Sequence, residues 1–449
     1  MRASLLRSLA LKSLALKFLA PAVVCLIVSG CGGSSSGTGG GGGGGNGGGG
    51  GNTPTTVTVS FAGTPTALAT QVGSGAFTAA TLTSGKLTLS IPSGTTNFAV
   101  AYICPDGGYI QQIVLEASTL DGTSYSALYC ASTATEPTGT LTGSGDVSAI
   151  AGAGYLGVTA DSGSGYSEGF LLTVTGEPEP ISVALPSGTD RVLVTGANLA
   201  NPVYFGSEEN VLAVRNFDGV TIPGTLNGGN TVTLGAADEV TMQPITYKNV
   251  PNGFTAPTTN VNYEWSDGGM LPLSNEATTQ YPAIPAAAAE SGDYYSFGAV
   301  TEMSTGGGGT EAGVSEAINT TANGPVTFTF PAPWTYAGPT PSAQPVFNMA
   351  NSGITGKTGV VDTIALSWSP TSVGQTTSVV YATANYLNGS TNLAVPNLTG
   401  VSGFLSGPPS GGLVIWFADV EQSSAASLQP LGQNGTYIDV ENGGSFTVP

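Results

Sequence analysis

Short runs rich in Val, Thr, Ile, Phe and Tyr, each closed by Gly, Pro, Asn or Asp, recur along most of this chain and leave room for little besides β-structure. TVTVSF from Thr56, KLTLSI from Lys86, NFAVAYI from Asn97, YIQQIVLEA from Tyr109 and GFLLTVT from Gly169 are examples, as are VTFTF from Val326, TIALSW from Thr363 and LVIWF from Leu413. Branched and aromatic side chains suit a pleated, half-buried surface, and turn residues every ~8–12 positions match the strand length of antiparallel sandwiches or barrels. Long segments of helical period are missing after residue 31. The alanine run between Pro285 and Glu290 is the one place for a helical turn. The expected fold class is all-β: tandem antiparallel β-sandwich domains.

The N-terminus reads differently. Residues 1–30 carry Arg2, Arg7, Lys12 and Lys17 but no acid, and Phe18 to Gly30 is uninterrupted apolar or small. A basic stretch before a short apolar one is a secretory signal, and this run is shorter than the roughly 18 residues a membrane-spanning helix needs. It ends in Val28-Ser29-Gly30-Cys31, which resembles the lipobox of bacterial lipoproteins. The resemblance implies that Cys31 becomes the new N-terminus and carries fatty acids of the palmitate kind, so that the membrane is the first partner. Gly32, not Asp, follows the cysteine, which by the same resemblance points to the outer membrane of the cell envelope. Residues 32–52 are Gly with a few Ser, Thr and Asn, a composition that buries no core and forms a disordered tether with a reach of about 25 Å.

The mature part divides on composition into an expected sandwich at 53–135, a second at 136–258 and a third, immunoglobulin-like region at 259–449 after the Pro and Thr cluster from Pro251 to Thr259. Cys25 leaves with the signal and Cys31 is lipidated, so Cys104 and Cys130 remain as a pair. Outside the cytoplasm such a pair is a disulfide. The segment IPSGTTNFAV from Ile91 returns as LPSGTDRVLV from Leu185, in each case after an alternating strand, which predicts the same strand, tight turn and returning strand twice. The layout weakly resembles prealbumin-like sandwich modules, and LSWSP from Leu366 slightly resembles the core-Trp strand of fibronectin type III modules.

Chemistry is sparse. The chain has no histidine, which removes Ser-His-Asp and Cys-His nucleophiles and the commonest transition-metal ligand. Losing the signal leaves five Lys and Arg against 28 Asp and Glu, so nucleic acid is excluded as a partner. No cofactor motif occurs. Glu208, Glu209, Asp218, Glu264 and Asp267 offer carboxylates for a histidine-free glycoside hydrolase, although their spacing selects no pair. Asp161 and Glu168 bracket an oxygen-rich loop that is a weak calcium candidate without the alternating ligands of a calcium loop. Trp334 and Tyr336 in PAPWTYAGP, and Trp265 in NYEWSDGG, are the ligand-binding candidates, able to stack on a sugar or anchor a partner, although covering the end of a sandwich core is the favoured reading of these rings. The expected function is non-catalytic: a lipid-anchored envelope protein with a structural, adhesive or ligand-binding role, its partner a polysaccharide or envelope protein. The alternatives are a carbohydrate-binding surface protein and the glycosidase.

Overall fold

The computed structural model describes residues 53–449 apart from 107–108, 128–129, 131–136, 162–166, 175–177, 200–208, 267–268, 278, 304–310, 355–358, 369–375, 406 and 426–430. Cys31, the signal and the tether lie outside the described residues. So do Glu208, Asp267, most of the loop between Asp161 and Glu168, and the side chains of Asp161, Glu168 and Glu209.

The first stretch forms β1 (Thr55–Ser60), β2 (Ala67–Val72), β3 (Thr78–Ala79), β4 (Lys86–Ile91), β5 (Asn97–Asp106), β6 (Tyr109–Ser118) and β7 (Ser124–Ser126). Next come β8 (Thr138–Asp146), β9 (Tyr155–Asp161), β10 (Ser167–Thr173), β11 (Glu179–Pro186), β12 (Gly188–Leu199), β13 (Glu209–Ile222), β14 (Gly224–Thr225), β15 (Val232–Thr233) and β16 (Thr241–Lys248). The third stretch begins with β17 (Thr258–Glu264), β18 (Met270–Ala277), β19 (Gln280–Ala283), β20 (Tyr294–Met303), β21 (Glu311–Thr320), β22 (Val326–Thr329) and β23 (Val346–Asn348). It ends with β24 (Val360–Trp368), β25 (Thr376–Thr383), helix α1 (Ala384–Leu387), β26 (Asn392–Ala394), β27 (Leu413–Ser423) and β28 (Gly435–Thr447). The protein is all-β.

Three cores organise these strands. In the first sandwich the sheet β4-β1-β7 faces β2, β5 and β6. Strict alternation along β4 sends Leu87, Leu89 and Ile91 inward to meet Phe98, Val100, Tyr102, Ile113 and Leu115. Cys104 and Cys130 form the expected disulfide at the rim of this core, with Cα atoms 5.3 Å apart. The second sandwich sets β11-β8-β14, with β15 also on β8, against β10-β9-β12-β13 around Leu141, Leu156, Val158, Ile181, Val183 and Val194.

The third core lies on a twelve-stranded sheet in the order β18-β17-β20-β21-β28-β27-β24-β25-β6-β5-β2-β3. Every pairing in it is antiparallel except β25 with β6, which runs parallel from Thr376 opposite Ile110 to Ala382 opposite Glu116. Hydrogen bonding therefore passes unbroken from the first sandwich into the C-terminal stretch, across the ends of the expected units 53–135 and 259–449. The middle strands allow it because they bury both faces: β24, VVDTIALSW, is buried at every position. Call the side bearing the first sandwich the front. The back holds the largest core and is covered by β16, β19, β22, β23, β26 and the loop after Thr329.

Two local expectations are corrected. The Pro-Ser-Gly turn after Ile91 does not make a hairpin, because β4 pairs with β1 whereas β5 pairs with β2 and β6. Its echo after Leu185 behaves alike, with β11 on β8 and β12 on β9 and β13. In both copies the turn is a corner that carries the chain from one sheet to the facing one. The alanine run after Pro285 makes a turn without a helix, while the described α-helical turn is α1, where the Thr383 hydroxyl accepts from the Tyr386 amide.

Candidate functional site

The aromatic candidates are core residues. Trp334 is 1% exposed and stacks on Tyr336 with ring centroids 4.9 Å apart, while its indole N–H donates to the Ala350 carbonyl at 3.2 Å. Asn442 of β28 donates to the Trp334 carbonyl at 2.7 Å, and Tyr336, half-buried, makes a T-shaped contact with Trp416. The proline-rich loop is thus a lid on the back core, and its rigid backbone serves packing instead of an exposed stacking platform. Among the described residues no tryptophan is exposed.

Trp265 is 2% exposed and takes part in a junction between the second sandwich and the third stretch. The Arg191 guanidinium of β12 lies 5.4 Å from the Trp265 ring and donates to Asp293 at 2.8 Å, to the Ala288 carbonyl at 2.8 Å and to Asn216 at 3.0 Å. Asp293 also accepts from the Tyr263 hydroxyl and from the Ser266 and Glu290 amides. Such a fork of charge-assisted bonds fixes orientation. Here it locks two sandwiches together. Of the carboxylates offered for glycosidase chemistry, two have described side chains: Asp218 is exposed and accepts from Asn216, whereas Glu264 is buried in β17. Burial pushes the Glu264 carboxyl up to about 8, and its Oε1 has no hydrogen-bond partner.

The feature that sequence reasoning missed lies on the front of the large sheet. Asp419-Val420-Glu421 of β27 and Asp439-Val440-Glu441 of β28 repeat one pattern on neighbouring antiparallel strands. Register sets Asp419 opposite Glu441 and Glu421 opposite Asp439. Because side chains alternate, both valines go to the back core and all four carboxylates go to the front. Opposed Cβ atoms in such a ladder are ~5 Å apart and like charges there repel. Thr363 of β24 extends the rung on the Asp419 side, and Ser315 of β21 faces Asp439. At Gly313, opposite Glu441, a Cβ atom would collide with the Glu441 carboxylate, so only glycine leaves that side chain its place.

All four acids are buried, with exposures of 7%, 8%, 4% and 7% from Asp419 to Glu441 in chain order. Burial pushes Asp419 and Asp439 well above the carboxylate range, and the neighbouring acids add to it by repulsion. Glu421 is raised to about 7, chiefly by burial, against the bond it accepts from the Tyr437 hydroxyl at 3.1 Å. Asp362, one residue from Thr363, is likewise raised to about 7 by burial. No basic group of the described residues answers these charges. Arg191 pairs with Asp293 and Glu290, Arg215 pairs with Asp238, and Lys86 and Lys248 are exposed on β4 and β16; Lys357 lies outside the described residues. The one available signal was the Asp-Val-Glu repeat itself, which on pattern alone reads as a solvated strand face.

No protein-family model matches the chain, and no curated protein matches it. Two crystal structures of the pilus adhesin SpaC from Lactobacillus rhamnosus GG are similar at 10% identity. The open conformation covers 87% of this chain and 51% of SpaC with a TM-score of 0.15. A second form covers 84% and 52% with a TM-score of 0.17. The chain spans about half the length of SpaC, and at these scores the likeness carries no argument about what it does.

Proposed function

We propose that the chain is a lipid-anchored protein of the cell envelope, held through Cys31 in the outer membrane, with a non-catalytic structural or adhesive role. The observation that supports this most is the continuous twelve-stranded sheet. The first sandwich, which begins at Thr55, is hydrogen-bonded through β6 and β25 to the strands that end the chain. Load applied to the C-terminal strands of this sheet reaches the first sandwich through backbone hydrogen bonds and buried side chains. The tryptophans that a carbohydrate-binding surface would display are in the core.

Deleting the gene and restoring it tests the role. Cells without the chain are expected to lose adhesion to a surface or to one another, or to leak periplasmic contents under osmotic stress, with recovery on complementation. Unchanged adhesion and an unchanged envelope would contradict the proposal.

A further inference from the structure

We infer that the Asp-Val-Glu lattice on the front of the large sheet binds a hard divalent cation, calcium above all, centred on Asp419 and shared with Asp439 and the Thr363 hydroxyl. The acids alone would not carry this. The second observation is Thr363 Oγ1, which is buried with its residue 7% exposed, has no hydrogen-bond partner, and sits on the same rung and face as Asp419. Asp419 Oδ1 and Asp439 Oδ1 are buried and unpartnered as well. When ionised, the two carboxylate oxygens only accept, and the hydroxyl beside them offers two lone pairs, so one cation satisfies all three and offsets the burial and repulsion that otherwise hold protons on the acids.

Asn319 Oδ1 of β21 and Ser296 Oγ of β20 are also buried without partners, and both lie on the face that carries Asp439. A buried polar atom with no partner costs free energy, but Asn319 is opposite Gly435, four residues along β28 from Asp439, so these two atoms lie outside the ion's reach and the site rests on Asp419, Asp439 and Thr363. Among the described residues no three carboxylates already converge on one point. The ion is therefore held by a pair of carboxylates, the hydroxyl and water, within the six to eight oxygens that calcium accepts. Glu421 and Glu441 flank the pair and supply further negative charge. Asp161 and Glu168 belong to β9 and β10 of the second sandwich, away from this sheet.

Purified mature protein, lipid anchor included, is stripped with EDTA in detergent micelles at pH 7.5 and titrated with terbium(III), then with calcium. Tyr437 donates to Glu421 of the lattice and is the expected sensitiser of terbium emission. The expected result is saturable emission that calcium displaces, a higher unfolding midpoint with calcium than with EDTA, and calcium affinity at least tenfold weaker in Asp419→Asn and Asp439→Asn. Both variants remove charge at constant shape, so they fold, and their midpoints in EDTA match or exceed the parent's. Asp161→Asn is expected to bind as the parent does. Absence of sensitised emission and of a calcium-dependent midpoint in the parent overturns the inference and leaves the lattice neutralised by protons. Equal calcium affinity in the parent and both asparagine variants overturns it too.

Discussion

Glu264→Gln should remove a large part of the pH dependence of stability. The Glu264 side chain is 3% exposed, one of its oxygens has no partner, and burial raises its carboxyl from 4.5 to about 8. With the folded value above the unfolded one, the folded chain keeps a proton that the unfolded chain releases. The associated stability is complete below pH 4.5 and is lost as pH rises toward 8. Between pH 4.5 and 7 that loss is about 3 kcal/mol, at ~1.4 kcal/mol per pH unit. Glutamine keeps the shape and does not titrate. Urea unfolding followed by tryptophan fluorescence is the assay, because Trp265, Trp334, Trp368 and Trp416 all belong to the back core. With EDTA present, the parent should lose about 3 kcal/mol more than the variant over this range. Glu116, Asp362 and Glu421 titrate in both proteins and cancel in the difference. Parallel profiles would show that Glu264 is ionised and solvated in the fold, and the reasoning about its burial would fail.

Trp334→Ala should cost about 3–5 kcal/mol in the same assay, through lost burial and the cavity left under the loop; a loss below about 1 kcal/mol would mean that the ring is not a core plug. Replacing Cys104 and Cys130 by serine should lower stability by ~3 kcal/mol, since the bond closes a loop with a sequence separation of 26. Hydrogen exchange should then rise first in β1, β4 and β7, and uniform exchange across the chain would contradict the local assignment. Arg191→Met should destabilise by about 3–5 kcal/mol by leaving Asp293 buried without its cation. Limited proteolysis is expected to release the second sandwich faster from this variant, and an unchanged digestion pattern would argue against the junction as a lock.

The fold class was legible because strand signals are local. The alternation of Lys86–Ile91 and the β-branched run of β24 fix extended backbone whatever the tertiary partners are. Strand pairing is not local: nothing in YIQQIVLEA says that it lies parallel to TTSVVYAT 266 residues later, as Gln112 and Ser378 do. The same limit turned an expected hairpin into a corner, since a Pro-Ser-Gly turn serves either and only the partner strands decide. For the aromatic loop, an irregular proline-rich segment fits either an exposed platform or a cover on the core, and the core reading holds: Trp334 is buried, and Gly338 and Gly444 leave room for the Trp416 ring that Tyr336 packs against. The acid lattice was hidden for a simpler reason. Alternating acid and valine is the ordinary pattern of a strand with one wet face, and the burial of that face depends on its place in the middle of a twelve-stranded sheet.

The proposal that the chain is anchored in the envelope by lipid stands or falls on Cys31. Cells fed an alkyne-bearing palmitate should yield labelled protein in the outer-membrane fraction, and Cys31→Ala should abolish the label and leave the precursor uncleaved. Equal label on the variant and the parent, or parent protein recovered unlabelled from the soluble fraction, would contradict the account.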